Sequence, residues 1–142
     1  MIECKFSVPG AAAPQGSKRA FKLRGSGRVV LVENSAKVKP YRATVALSAR
    51  QAWNRPPTGK AVYVRVAFTF VRPKSHHTGK GAIRSGAPDF PGKPDIDKLC
   101  RAVLDALTGV VYVDDAQVVN LEATKNYGPV SGTIIEIREI LP

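Results

Sequence analysis

The sequence predicts a single α+β domain in which a mixed β-sheet is flanked by two main helices. The chain has 142 residues, of which 44% are hydrophobic, which is enough for one core and too few for two ordinary domains. Residues 61–71 alternate apolar and other side chains with the two-residue period of a strand. Residues 96–107 repeat apolar side chains at the i, i+3, i+4, i+7 spacing of an amphipathic helix.

The amino-terminal segment contains the signals of three short strands. Residues 2–8 predict the first strand, which Pro9 and Gly10 end. Residues 21–23 and 28–32 flank a glycine-rich turn, a pattern typical of a short hairpin.

A first helix is predicted to follow the hairpin. Asn34 or Ser35 can cap it, and it runs to about Trp53 if Pro40 lies in its first turn. One face is apolar and another is basic, and the basic face is either a solvated surface or a nucleic-acid-binding one. The apolar face comprises Val38, Tyr41, Val45, Ala49 and Ala52, and the basic face comprises Lys39, Arg42 and Arg50.

Residues 72–94 form a long basic loop without periodicity. A loop of this length in a small domain is usually functional or disordered, and we expect it to close over a phosphate backbone and become ordered on binding. The side chains of His76 and His77 should diverge because the residues are neighbours, so we interpret them as surface histidines rather than as metal ligands. The cations expected to contact the backbone are Lys74, Lys80, Arg84 and Lys93.

Charge is segregated along the chain, which carries a formal charge of +11. Between Cys4 and Pro88 there are seventeen Lys and Arg residues and one acid, Glu33. A strongly basic surface attracts phosphate backbones. Residues 95–115, by contrast, contain five carboxylates, which would repel a phosphate backbone unless divalent cations lay between them.

The five carboxylates are placed around the second helix and the segment after it. One pair stands at the start of the helix, which ends at Thr108 and Gly109, and another pair follows residues 110–113, which predict a short strand. Such an arrangement can gather hard oxygen ligands suited to Mg²⁺ or Mn²⁺. Each carboxylate taken singly also fits a helix cap, a first-turn dipole partner or a surface ion pair. The five are Asp95, Asp97, Asp105, Asp114 and Asp115.

Other features favour a soluble intracellular protein. Cys4 and Cys100 form neither a disulfide framework nor a zinc pattern, and we expect both to be reduced, buried thiols. No apolar run approaches the roughly 20 residues of a membrane span, and residues 1–10 do not resemble a secretory leader.

The acidic region resembles the RusA-like Holliday junction resolvases. Their signature is approximately P-D-x-D-N-x-x-K-x-x-x-D-A-L, followed after a short turn by D-D-x-Q-V and a later lysine. Residues 93–107, residues 112–119 and Lys125 match it closely. The amino-terminal end is less similar, with Pro14, Gly16, Lys18 and Arg19 resembling the basic loop after the family's first strand.

The resemblance implies a homodimeric, Mg²⁺-dependent endonuclease, active also with Mn²⁺ and without an organic cofactor. It implies that two opposing strands of a four-way DNA junction are nicked during DNA recombination and repair, in the cytoplasm of a bacterial host, with a phage or prophage source expected. The family's essential aspartates fall on Asp95, Asp97 and Asp115, with Asp114 as a further candidate metal ligand. Asp105 would orient the helix or pair with Arg101.

Two positions depart from the signature, because Lys98 replaces the usual Asn and Arg101 replaces the functional Lys. Arginine keeps the positive charge but does not deprotonate. We expect Arg101 to stabilise charge on the phosphate, and Lys98 or Lys125 to act if a proton donor is required. The residues expected to contact DNA are Lys18, Arg19, Lys74, Lys80, Arg84, Lys93, Lys98 and Lys125.

Two alternatives to a junction resolvase remain open. One is a DNA-binding module without catalysis, in which the acids are caps and ion pairs. The other is a metal-dependent nuclease that acts on flaps, forks or RNA, since phosphate contacts do not identify the substrate.

Overall fold

A four-stranded mixed sheet forms the centre of the protein, in the order β1-β6-β4-β5. The pairs β1/β6 and β6/β4 are antiparallel, whereas β4 and β5 run parallel. A separate antiparallel pair is formed by β2 and β3; the sequence predicted a hairpin here, but with its first strand over residues 21–23, whereas β2 begins three residues earlier. The strands are β1 (Glu3–Pro9), β2 (Lys18–Lys22), β3 (Val29–Glu33), β4 (Val62–Phe70), β5 (Val118–Tyr127) and β6 (Gly132–Glu139), and the helices are α1 (Val38–Trp53) and α2 (Ile96–Leu107).

These elements belong to a computed structural model that describes residues 3–16, 18–22, 25, 29–33 and 36–142. Residues 18–22 and 29–33 are described by their backbone alone. The expected α+β class, with a mixed sheet and two main helices, is confirmed.

The alternation seen in β4 places one face of the sheet in the core. Val62, Val64, Val66 and Phe68 are fully buried and belong to the same cluster as the buried side chains of both helices. Both helices therefore cover this face, whereas Arg65 on the opposite face is exposed.

Strand β6 lies between β1 and β4, although the sequence pattern did not predict an element there. It alternates like β4, with Ile135 and Ile137 fully buried toward the helices. The buried Thr133 on the same face shares a 2.6 Å hydrogen bond with the hydroxyl group of Tyr41 on α1, so this pair joins the helix to the central strand.

Helix α1 begins later than expected. Its N-cap is Lys37, which makes no side-chain capping bond, and the proposed caps Asn34 and Ser35 lie outside the described residues. Pro40 falls in the first turn, as required. The predicted apolar face was wrong at its last residue, because Ala52 is exposed. Trp53, which lies about one turn beyond Ala49, is buried in its place.

The connection from β4 to β5 crosses the sheet through the basic loop, α2 and a tight turn. The strand predicted over residues 110–113 is wrong. Val111 donates a backbone hydrogen bond to Leu107 (2.9 Å) and Gly109 donates one to Tyr112 (2.8 Å), which closes the chain into a turn. Val110, Val111 and Tyr112 are buried because the turn packs into the core, whereas Val113 is exposed.

Both cysteines are free thiols; Cys100 is buried, whereas Cys4 is only partly so, which corrects the expectation for Cys4. In the described residues, neither helix combines the length and apolar character needed to cross a membrane.

We predict that Tyr41→Phe lowers the free energy of unfolding by about 1–3 kcal/mol, because it leaves the buried Thr133 hydroxyl without its partner. Adding Thr133→Val should recover most of the loss, since an apolar pair leaves no polar group unsatisfied. Urea denaturation of the two single variants and the double variant measures the coupling. Equal losses in Tyr41→Phe and in the double variant would contradict it.

Candidate active site

Asp95 stands at the amino-terminal end of α2. Its backbone occupies the N-cap position, but its side chain makes no capping hydrogen bond. The carboxylate instead accepts a hydrogen bond from Lys93 Nζ at 3.1 Å and lies 3.9 Å from Lys98 Nζ. The Lys93 ammonium group, through its hydrogen bond and its charge, lowers the pKa of Asp95. Asp95 is therefore an ionised, partly exposed carboxylate and not a side-chain cap.

A groove runs between α2 and β5, with a volume of about 430 Å³. Asp97, Arg101 and Asp115 line it together, so the structure brings three of the expected site residues to one surface. The rest of the lining, Ile96, Cys100, Leu104, Leu121 and Ala123, is largely apolar. We call this the α2–β5 groove.

Arg101 is exposed in the groove. The part of the chain that the structure describes contains no side-chain hydrogen bond or ion pair to its guanidinium group, and the possible ion pair with Asp105 is absent there. Asp105 accepts a 2.7 Å hydrogen bond from Gln15 Nε2 instead. Gln15 Oε1 accepts another at 2.6 Å from Arg42 Nη1, so Asp105 links α2 to the loop after β1 and to α1.

The two aspartates before β5 have different roles in their turn. Asp114 Oδ1 accepts a hydrogen bond from the backbone of Ala116 (2.9 Å) and caps the 3-10 turn Asp115–Gln117. Asp115 is exposed. The hydrogen-bonded carboxyl group of Asp114, with smaller contributions from burial and from Asp105, raises the pKa of Asp115.

Gln117 holds this aspartate turn against the start of β4. Its Oε1 accepts hydrogen bonds from the backbone of Val113 and Asp114, both at 2.9 Å. Its Nε2 donates to the carbonyl oxygens of Thr58 and Lys60, both at 2.8 Å. No role was predicted for Gln117 from the sequence, although its place in the D-D-x-Q-V pattern was an available signal.

Lys125 also holds a backbone segment in place, at the end of the groove where α2 begins. Its Nζ donates hydrogen bonds to the carbonyl oxygens of Gly92 (2.8 Å) and Pro94 (2.9 Å). The ammonium group was expected to contact DNA, but here it fixes the segment that leads into Asp95. Its sequence position, on the strand beside α2, did not indicate this contact.

The basic loop is held by contacts within the protein. Arg84 Nε donates to the His77 carbonyl (2.9 Å), and the Arg72 guanidinium group lies 4.3 Å from the centre of the Tyr127 ring. His76 packs edge-on against the same ring at 5.6 Å. Lys74, Lys80 and Lys93 are exposed, and the side chains of Lys18 and Arg19 lie outside the described residues.

The oxygen ligands of the groove suit Mg²⁺ by their chemistry. Within the described residues, no group of three or more His, Cys, Asp or Glu side chains is close enough to hold a metal ion. Mg²⁺, however, is commonly bound by one or two carboxylates and completed by water and substrate phosphate oxygens. Asp97 and Asp115 are exposed carboxylates of this kind, so the side chains present fit an ion that is bound together with a phosphodiester.

A basic α+β domain with carboxylates and an exposed arginine in one groove has the features of an enzyme that acts on nucleic acid. The family model described as endodeoxyribonuclease RusA matches residues 9–138. The chain therefore belongs to the RusA endodeoxyribonuclease family. It is also similar to the uncharacterized protein YqaN of Bacillus subtilis (strain 168), with 32% identity over 150 residues that cover 98% of this chain and 99% of that protein.

We predict that Gln117→Glu destabilises the fold by about 1–3 kcal/mol, because the change removes both donors and sets an oxygen against two carbonyl oxygens. Urea denaturation measures the loss. Asn120→Asp is the matched control, since this exposed amide on β5 makes no side-chain hydrogen bond in the described structure. Equal stability of the two variants would contradict the role given to Gln117.

Proposed function

We propose that the protein is a Mg²⁺-dependent endonuclease that resolves four-way DNA junctions by paired nicks, in DNA recombination and repair. The observation that carries the proposal is the joint lining of the α2–β5 groove by Asp97, Arg101 and Asp115 in a chain of the RusA family. A net charge of +11 supports a polyanionic substrate. We also propose that Mn²⁺ substitutes for Mg²⁺ and that no organic cofactor takes part.

Asp95, Asp97 and Asp115 are the proposed catalytic carboxylates. Asp97 and Asp115, which line the groove together, would share one metal ion, and Asp95 would bind a cation beside them, because no three of the described carboxylates are close enough to hold one ion together. The low pKa of Asp95 keeps its carboxylate ionised and able to bind a cation. Asp114, a further metal ligand by the family resemblance, is proposed instead as a positioning residue, because one of its oxygens caps the turn that carries Asp115. When bound, Mg²⁺ would lower the pKa of a coordinated water and stabilise charge on the phosphate and the leaving oxygen.

Arg101 is the proposed charge stabiliser for the scissile phosphate. Lys98 and Lys125 are the other two cations that could stabilise this charge. Lys98 lies 3.9 Å from the Asp95 carboxylate, and Lys125 is hydrogen-bonded to two carbonyl oxygens. Arg101 has no such partner in the described residues and faces the groove. Its planar guanidinium group can bind two phosphate oxygens at once.

DNA held in the groove would be contacted by the cations around it. Lys74, Lys80 and Lys93 are exposed on the basic loop, and Lys18, Arg19, Arg84 and Lys98 complete the proposed set. A homodimer with two equivalent sites would suit a junction that must be cut symmetrically, and the site of action would be the cytoplasm.

We predict that Asp97→Asn and Asp115→Asn each lower the rate of junction cleavage by about 100-fold or more, because several kcal/mol of transition-state stabilisation is removed. Junction affinity should be kept or increased, since a negative charge is lost near the phosphates. Single-turnover cleavage and binding measured in EDTA separate the two effects. Glu122→Gln, on the sheet's opposite face, is the control; loss of binding and cleavage together would point to folding.

The same assay distinguishes the alternatives. Purified protein is incubated with labelled four-way, forked, flapped and linear duplex DNA and with RNA, each with Mg²⁺ and with EDTA. Cleavage of the four-way junction only with the metal supports the proposal. Salt-sensitive binding without any cleavage would support a non-catalytic DNA-binding module, and faster cleavage of flaps, forks or RNA would reassign the substrate.

We predict that Arg101→Ala lowers the cleavage rate by about 10- to 1,000-fold, as the loss of one transition-state charge contact does, whereas Arg101→Lys retains more activity. The dependence of the rate on Mg²⁺ concentration should keep its midpoint, because Arg101 is not a metal ligand. Full activity of Arg101→Ala at saturating Mg²⁺ would remove Arg101 from the mechanism.

A further inference from the structure

An aromatic ring is displayed on the basic loop beside the candidate site. Phe90 is 65% exposed and makes no aromatic contact within the described part of the chain. It precedes Asp95 by five residues. Single exposed apolar side chains are common on protein surfaces, so exposure alone does not indicate a function for Phe90. The contacts that hold its backbone are the additional evidence.

The segment that carries Phe90 is fixed on both sides by basic side chains. The carbonyl oxygen of Pro88 accepts a 2.7 Å hydrogen bond from Arg72 Nη1, and that of Gly92 accepts a 2.8 Å hydrogen bond from Lys125 Nζ. Between these two anchors Pro91 is buried. Only three residues join the anchored positions, so the exposed ring is presented at a defined place.

The same ammonium group connects this segment to the acidic site. Lys125 Nζ also donates to the carbonyl oxygen of Pro94, directly before Asp95. The position of the ring and that of the first carboxylate are therefore set by one side chain. Lys93, which lies between them in the chain, is exposed, and its ammonium group is hydrogen-bonded to the Asp95 carboxylate.

We propose that Phe90 stacks on an unstacked base at the branch point of the DNA substrate, and so selects branched DNA over linear duplex. This inference rests on the proposed function, because it names what the same site recognises. Aromatic side chains bind unpaired bases in this way, since every base offers a flat apolar face. Regular duplex DNA keeps its bases stacked and offers no such face to a ring on a short, fixed segment.

The central measurement is binding in EDTA, where the DNA is not cut. Phe90→Ala should bind a four-way junction about 10- to 100-fold more weakly than the wild-type protein, with an affinity for linear duplex within about twofold of wild type. Val130→Ala is the matched control, because Val130 is 74% exposed and apolar but lies in the β5–β6 turn. This variant should bind both DNAs normally.

A fluorescence experiment tests the stacking itself. The chain has one Trp, Trp53, which is 1% exposed and should not respond to DNA. Phe90→Trp places a second indole on the loop, and its added emission should be quenched by a four-way junction but not by linear duplex. Thermal unfolding of both Phe90 variants should match the wild type, since the side chain is exposed.

Three results would overturn the inference. Phe90→Ala could bind the junction as tightly as the wild type, or could lose junction and duplex affinity equally. Light scattering could also show that the variant changes its oligomeric state, which would assign the ring to a contact between two copies of the chain. If any of these three results were obtained while the wild-type protein cleaved the junction normally, the proposed function would stand and only the role of Phe90 would be rejected. Selective quenching and weakened binding without metal-dependent cleavage would instead reject the function alone.

Discussion

The parallel pairing of β4 with β5 is the constraint on which the rest of the structure depends. Two neighbouring parallel strands cannot be joined by a hairpin, because the chain must return to the end of the sheet where the first strand began. The residues between Phe70 and Val118 make that return, and they contain the basic loop, α2 and the aspartate turn. All of the candidate catalytic residues therefore lie in one crossover connection.

The crossover is held at two points by side chains from β5 and from the 3-10 turn that precedes β5. Lys125 donates hydrogen bonds to the carbonyl oxygens of Gly92 and Pro94, just before α2. Gln117 connects the aspartate turn to the segment before β4 by four hydrogen bonds. These contacts satisfy backbone groups that would otherwise require water or secondary structure. They also leave Asp97 and Asp115 exposed on one groove, with no internal partner for Arg101 in the described residues.

Charge organisation explains why acids are tolerated on a basic surface. Asp95 is paired with Lys93 and flanked by Lys98, so its negative charge is favourable in the free protein. Among the described residues Asp115 has no ion pair with a basic side chain, and the neighbouring Asp114 raises its pKa. A divalent cation placed there would relieve the repulsion between these two carboxyl groups, which is the physical basis for expecting metal and phosphate to bind together.

The sequence by itself determined some of the local elements and the class of protein. The alternation of β4 and the 3.6-residue period of α2 fixed both elements, because solvent exposure on one face leaves a periodic pattern, and the motifs from residue 93 to Lys125 indicated the family. Only the tertiary structure decided that residues 110–113 form a turn, that β6 is central, that Asp114 caps while Asp115 is displayed, and that Lys125 fixes the backbone before Asp95. These depend on contacts between residues distant in the chain, which leave no local periodicity to detect.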